Sequence, residues 1–131
     1  DVVTAPEFNE NSQASVCDAS DVPIDGLILD IGPRSSKEYA RIISLVDTVI
    51  WNGPMGVFEW PNFAKGSKSV AKAVAANKKA TSVIGGGSTA EVVGSLDLVD
   101  QITHVSTGGG ASLEFLEGKI LPGVAALDDA I

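Results

Sequence analysis

Basic residues are scarce in this sequence: nine Lys and Arg stand against seventeen Asp and Glu, for a net charge of −8. None of the nine falls within residues 1–30, which instead carry Asp1, Glu7, Glu10, Asp18, Asp21, Asp25 and Asp30. An acidic chain without a basic stripe argues against nucleic acid as a partner. There is one cysteine, Cys17, which excludes an internal disulfide, fits a reducing compartment and reads as inert. No apolar run approaches the ~18 residues a membrane helix needs, and no signal-peptide pattern opens the sequence, so no membrane contact is expected. Two phosphate-binding fingerprints are also missing: no glycine precedes Lys-Ser/Thr at Walker A spacing, and there is no G-x-G-x-x-G. The apolar content is 44% and the charged content 20% over 131 residues. Those values suit one globular domain with a small core.

Glycine is what the sequence has in quantity, and it is placed in groups. Ser82-Val83-Ile84 runs into Gly85, Gly86 and Gly87; His104-Val105-Ser106-Thr107 runs into Gly108, Gly109 and Gly110. Each triplet separates a β-type run from a helix-start pattern. Glycine lets backbone approach a ligand closely, and a helix opening there adds free N–H groups and the positive end of its dipole. Two such turns point to one ligand with more than one phosphate, held between neighbouring strands. The negative net charge does not oppose this, because backbone N–H groups and Mg²⁺ can carry phosphates.

The rest of the chain reads as strand followed by helix, repeated. Short strands are expected in residues 1–5 and 14–17, and a strand buried on both faces in residues 26–32. Pro33 follows, and Ser35 with Glu38 has capping-box spacing for a helix whose apolar face is Tyr39, Ile42, Ile43 and Val46. Residues 48–51 form the next strand, stopped by Asn52-Gly53-Pro54. A helix over about residues 63–76 turns Val70, Ala71 and Val74 inward and its lysines to solvent. After the strand in residues 80–84, Ser88 and Glu91 repeat the capping-box spacing for a helix over 89–96. The last strand covers 101–106 and a short helix 111–117, stopped by Gly118, before a mostly irregular tail from Pro122. This order predicts an α/β fold, a Rossmann-like parallel sheet with flanking helices, whose three glycine turns share the carboxyl edge where such sheets bind ligands. The sequence opens Asp1-Val2-Val3-Thr4-Ala5 without an initiator methionine, in the middle of a strand pattern, and reads as part of something longer.

Trp51-Asn52-Gly53-Pro54-Met55-Gly56-Val57-Phe58-Glu59 is more specific than patterning. With Asp30-Ile31-Gly32-Pro33, the Gly85 triplet, the stretch from His104 through Glu114 and the ending Leu121-Pro122-Gly123-Val124, it resembles phosphoglycerate kinase over essentially the whole chain. The resemblance implies a cytoplasmic phosphotransferase, monomeric at full length, built from two Rossmann-like domains joined by a hinge. It would move a phosphoryl group between 1,3-bisphosphoglycerate and ADP, in glycolysis or carbon fixation. Residues 1–131 would be the C-terminal part of its nucleotide-binding domain, taking Mg-ADP or Mg-ATP. The N-terminal domain, with the 3-phosphoglycerate site, would be absent, leaving this chain alone inactive.

By position, the resemblance puts Asn52, Gly85, Gly86 and Gly87 beside the nucleotide phosphates, with Thr89 donating a hydroxyl. Glu59 would take the ribose hydroxyls; Leu29, Pro54 and Val57 would form the adenine slot. Gly108, Gly109 and Gly110 would be catalytic, as the helix start facing the phosphoryl group in transit. Ser88 departs from the family, which usually carries a metal-holding Asp there; a serine would hold Mg²⁺ less strongly. The bland readings stand beside these: Glu59 as a solvated loop carboxylate, His104 as structural, Asp30 as a local turn residue, and Trp51, Phe58, Trp60 and Phe63 as packing. The alternative function is a non-catalytic fragment that self-associates, or pairs with its complementary fragment, through an exposed sheet edge.

Overall fold

A computed structural model describes residues 1–127. The strands are β1 (Val2–Ala5), β2 (Ser15–Cys17), β3 (Leu27–Ile31), β4 (Thr48–Asn52), β5 (Thr81–Gly85) and β6 (His104–Ser106). The helices are α1 (Pro33–Ile43), α2 (Lys65–Ala76), α3 (Gly87–Gly94), α4 (Gly109–Leu116) and α5 (Pro122–Ala125). The expected parallel sheet is β4-β5-β6, with Asn52 beside Gly85 and Gly85 beside Ser106 in register. Successive strands here are joined through a helix, the crossover that parallel pairing needs.

The first three strands depart from expectation. They form a second sheet, order β2-β1-β3, antiparallel throughout. No helix lies between β1 and β2 or between β2 and β3, so the chain can return only by reversing direction. As an edge strand, β3 is not buried on both faces: Leu27 and Ile28 are exposed, while Leu29 and Asp30 are buried. The tail also differs, since residues from Pro122 form the short helix α5; the last four residues lie outside the described ones.

Alternation along β4 and β5 sends Trp51 and Ile84 to the same face, where Val70, Ala71, Val74 and Ala75 of α2 and Val92 and Val93 of α3 close the main core. Lys65, Lys68 and Lys72 point to solvent as the helical period predicts. A second cluster joins Val3, Ala5 and Leu29 of the antiparallel sheet to Phe63. The Tyr39–Ile42 stripe of α1 is less covered than its period suggests, because both side chains remain exposed.

Neither expected capping box forms. Gly32 is the N-cap of α1 and Gly86 that of α3, so Ser35 and Ser88 already lie inside their helices. The cap of α1 comes from far along the chain. Asp1 accepts the N–H groups of Ser35 (2.7 Å) and Arg34 (3.1 Å). For α2, Asp30 accepts the Gly66 N–H at 2.8 Å. The far end of α4 does follow its sequence signal. Gly118 has φ 79°, its N–H reaches Phe115 O at 2.9 Å, and Lys119 N–H reaches Glu114 O at 3.0 Å. That pair of bonds is a Schellman stop.

Candidate functional site

The register of β4, β5 and β6 brings their ends level, so all three glycine turns open on one edge. Asn52 ends β4, and a Cβ added at either Gly86 or Gly109 would stand 2.9 Å from its Oδ1. The Asn52 carboxamide therefore sits between the two helix starts. Gly109 also packs on Gly86, where a Cβ would lie 2.9 Å from the Gly86 Cα. Gly86 itself has φ 91°, a conformation open to glycine at little cost. Its N–H bonds to Ser106 O at 2.9 Å, closing the gap between β5 and β6.

Neither α3 nor α4 has a side-chain cap or an acidic residue in its first turn. Their first N–H groups and positive dipole ends are thus uncompensated by any carboxylate, a combination that favours an anion. Gly87, Ser88 and Gly110 are exposed there, whereas Gly85 is buried as the last residue of β5.

Thr89 is placed differently from expectation. It is fully buried, and its Oγ1 accepts the Gly53 N–H at 2.8 Å. Its hydroxyl is engaged in holding the turn after β4. Leu29 is also displaced from the expected slot: it lies 5% exposed in the second core cluster, beneath Val57, and its carbonyl accepts the Val57 N–H at 2.9 Å.

The remaining expected residues do converge. A cleft of about 470 Å³ is lined by Pro54, Val57, Glu59 and Ser88 together with Phe8 and Trp60. Glu59 is exposed on its wall and free of any ion pair among the described residues. Trp60, a packing residue by sequence, also lines the cleft, with the Phe8 ring 4.6 Å from its own. Phe8 belongs to the same wall, and an aromatic alone in a polar loop is the signal the sequence offers for it. Gly108 borders another cavity, about 400 Å³ and largely apolar, with His104, Ser106, Ser112 and Phe115. His104 is exposed rather than sequestered in a core.

Asp30 is the other residue whose surroundings the sequence did not give. It bonds its own neighbour as a turn residue would (Ile31 N–H to Oδ1, 2.9 Å), yet it is buried and also reaches α2. Burial pushes its carboxyl above the usual range, partly offset by the Gly66, Ile31 and Lys65 N–H groups and the Lys65 charge.

As a metal site, this edge is poor in charge. Asn52 and Ser88 are neutral donors, and no group of three or more His, Cys, Asp or Glu gathers among the described residues. Mg²⁺ is commonly held by one or two carboxylates plus substrate phosphates; these residues fit the ion only as one carried by phosphates.

Taken together, the sheet and its edge define a class: an α/β protein with glycine-rich strand-to-helix turns gathered at the carboxyl ends of parallel strands. The phosphoglycerate kinase family model matches residues 1–119. The phosphoglycerate kinase of Clostridium tetani is 52% identical over 129 residues, covering 98% of this chain and 32% of that protein. The solved phosphoglycerate kinase of Coxiella burnetii superimposes with a TM-score of 0.86 at 43% identity, over 95% of this chain and 32% of its own. That of Pyrococcus horikoshii gives 0.77 at 35% identity, over 96% of this chain and 31% of its own. The chain belongs to the phosphoglycerate kinase family. It spans about a third of the length of the curated relatives it matches.

Proposed function

We propose that this chain is the nucleotide-binding portion of the C-terminal domain of a phosphoglycerate kinase, taking ADP or ATP with Mg²⁺. The observation that carries the reading is the meeting of Asn52, Gly86 and Gly109 at two acid-free helix starts, beside the cleft that holds Glu59. The phosphates would lie against the α3 and α4 N-termini and Asn52. Pro54 and Val57 would face the base, and Glu59 the ribose hydroxyls. Gly108, Gly109 and Gly110 would face the phosphoryl group passing to or from 1,3-bisphosphoglycerate. Phosphoryl transfer depends chiefly on positioning and charge stabilisation, which backbone N–H groups supply. Thr89 acts through the Gly53 turn in this reading, and Leu29 as the floor beneath Val57. The metal arrives on the phosphates, with Ser88 as at most a neutral ligand. The acceptor substrate requires the other domain, so the full-length protein, a cytoplasmic glycolytic enzyme, turns over where this chain does not.

Calorimetric titration with ADP, in Mg²⁺ and again in EDTA, tests the reading. Saturable heat is expected, and Gly109→Ala, which drives a methyl against Asn52, weakens it. No heat on a chain folded by circular dichroism overturns it. A coupled assay of the chain alone is expected to stay at blank.

A second reading has its own observation. Ile50 and Val83 share the sheet face opposite the main core with exposed His104, and among the described residues α4 and Leu121 lie against part of it, with Phe115 and Leu116 exposed. Parallel sheets are ordinarily covered on both faces. We infer that this side is a docking surface for the complementary part of the longer chain. Co-expression of the two parts as a stable, soluble complex supports it. Monomers that ignore each other overturn it, and pairing between copies of this chain assigns the surface to self-association.

A further inference from the structure

The loop that carries Pro54, Val57 and Glu59 is tied down at every second residue, each time to a different element. Gly53 N–H goes to Thr89 on α3, Met55 N–H to Ser67 Oγ on α2 at 2.9 Å, and Val57 N–H to Leu29 O on β3. Between the last two, Gly56 lies so close to Leu29 O and Asp30 that no Cβ fits. Ser67 is fully buried in the first turn of α2. A buried hydroxyl needs a partner, and the Met55 N–H is the one it has. Asp30 then fixes the turn that carries Ser67: its carboxylate holds the Gly66 N–H, and Gly66 packs against it with no room for a side chain.

We propose that Ser67 is a positioning residue for the 53–59 loop, set by Asp30 through the first turn of α2. The Ser67 hydroxyl fixes the height of Met55, and thereby the aim of Pro54, Val57 and Glu59 into the cleft. This rests on the nucleotide reading for its effect on binding, but not for its effect on the loop. Neither residue lines the cleft, so both act without touching a ligand.

The test is Ser67→Ala, with Ser67→Thr as the variant that keeps the oxygen, each compared with the unsubstituted chain. Amide hydrogen exchange read residue by residue is expected to show Met55 protection falling about tenfold in Ser67→Ala, as for loss of one net hydrogen bond. The α2 core amides of Val70 and Ala71 keep their protection, which general destabilisation would not allow. Ser67→Thr restores Met55. ADP affinity measured by calorimetry weakens about three- to tenfold in Ser67→Ala. Unchanged Met55 exchange in Ser67→Ala, or equal loss across α2, overturns the proposal, as does unchanged affinity in a chain that binds ADP. Where the unsubstituted chain binds no ADP, the nucleotide reading fails and exchange alone decides the role of Ser67.

Discussion

Asp30 concentrates the residue-scale physics of this protein. A buried carboxylate is unfavourable unless backbone donors compensate it, and Gly66, Ile31 and Lys65 supply them. Desolvation still wins, so the folded pKa lies above the unfolded value. The folded state then binds more protons than the unfolded one between those two values. Stability from this group is therefore full below the ordinary carboxylate pKa of about 3.9 and declines as pH rises through the folded value. The stability of the natural chain relative to Asp30→Asn should fall across that rise, in denaturant titrations at a series of pH values. A relative stability that climbs with pH would overturn this sign. The local bond from Ile31 was legible in the sequence, because it spans one residue. The bond to Gly66 was not: it joins positions 36 apart, and no pattern along the chain encodes which helix start a strand residue will meet.

At the scale of elements, helix starts are capped by carboxylates on other elements. Asp1 precedes β1 and caps α1; Asp30, near the end of β3, caps α2. The spacing of Ser35 with Glu38 and of Ser88 with Glu91 suggested local boxes, but glycine at the true N-cap moved each start earlier. Pro33 at the first turn of α1 supports that earlier start, because its fixed φ suits a helix entry. Asp1→Ala strands the Arg34 and Ser35 N–H groups and should lower stability by about 1–2 kcal/mol. Urea unfolding reads this as a lower midpoint with an unchanged slope. Ser35→Ala, were the local box real, would do the same through the helix start; here its hydroxyl bonds to Asp1 O at 3.0 Å and its loss should matter less. The starts of α3 and α4 borrow no such cap: neither has a side-chain cap or an acid in its first turn, an arrangement that suits an anion.

For the whole molecule, what matters is which surfaces are finished. One face of β4-β5-β6 is sealed by α2 and α3, and the other shows Ile50 at 49% and Phe115 at 68% exposure. Burying one Phe or Ile side chain contributes about 1.5–3 kcal/mol, so Phe115→Glu should weaken pairing with the complementary part of the longer chain by about tenfold or more in sedimentation equilibrium; identical curves would remove this face from the docking surface. Ile84→Ala, within the sealed face, should instead lower stability by about 2–5 kcal/mol without changing association. No helix among the described residues is long and apolar enough to cross a membrane, in keeping with the short apolar runs.

By itself the sequence determined the periodicities, the glycine turns and the strand-helix alternation of residues 48–116, because those depend on neighbours a few positions apart. It also determined family membership, through motifs whose residue order survives any folding. Tertiary structure alone decided that β1 to β3 run antiparallel in a sheet of their own, that Leu29 and Thr89 lie beneath the candidate site, and that Phe8 lines it. It alone joined Asp30, Ser67 and the 53–59 loop. The reason is physical: a buried polar group must find its partner wherever packing brings one, and Thr89, Ser67 and Asp30 each bond to a group a dozen or more residues away.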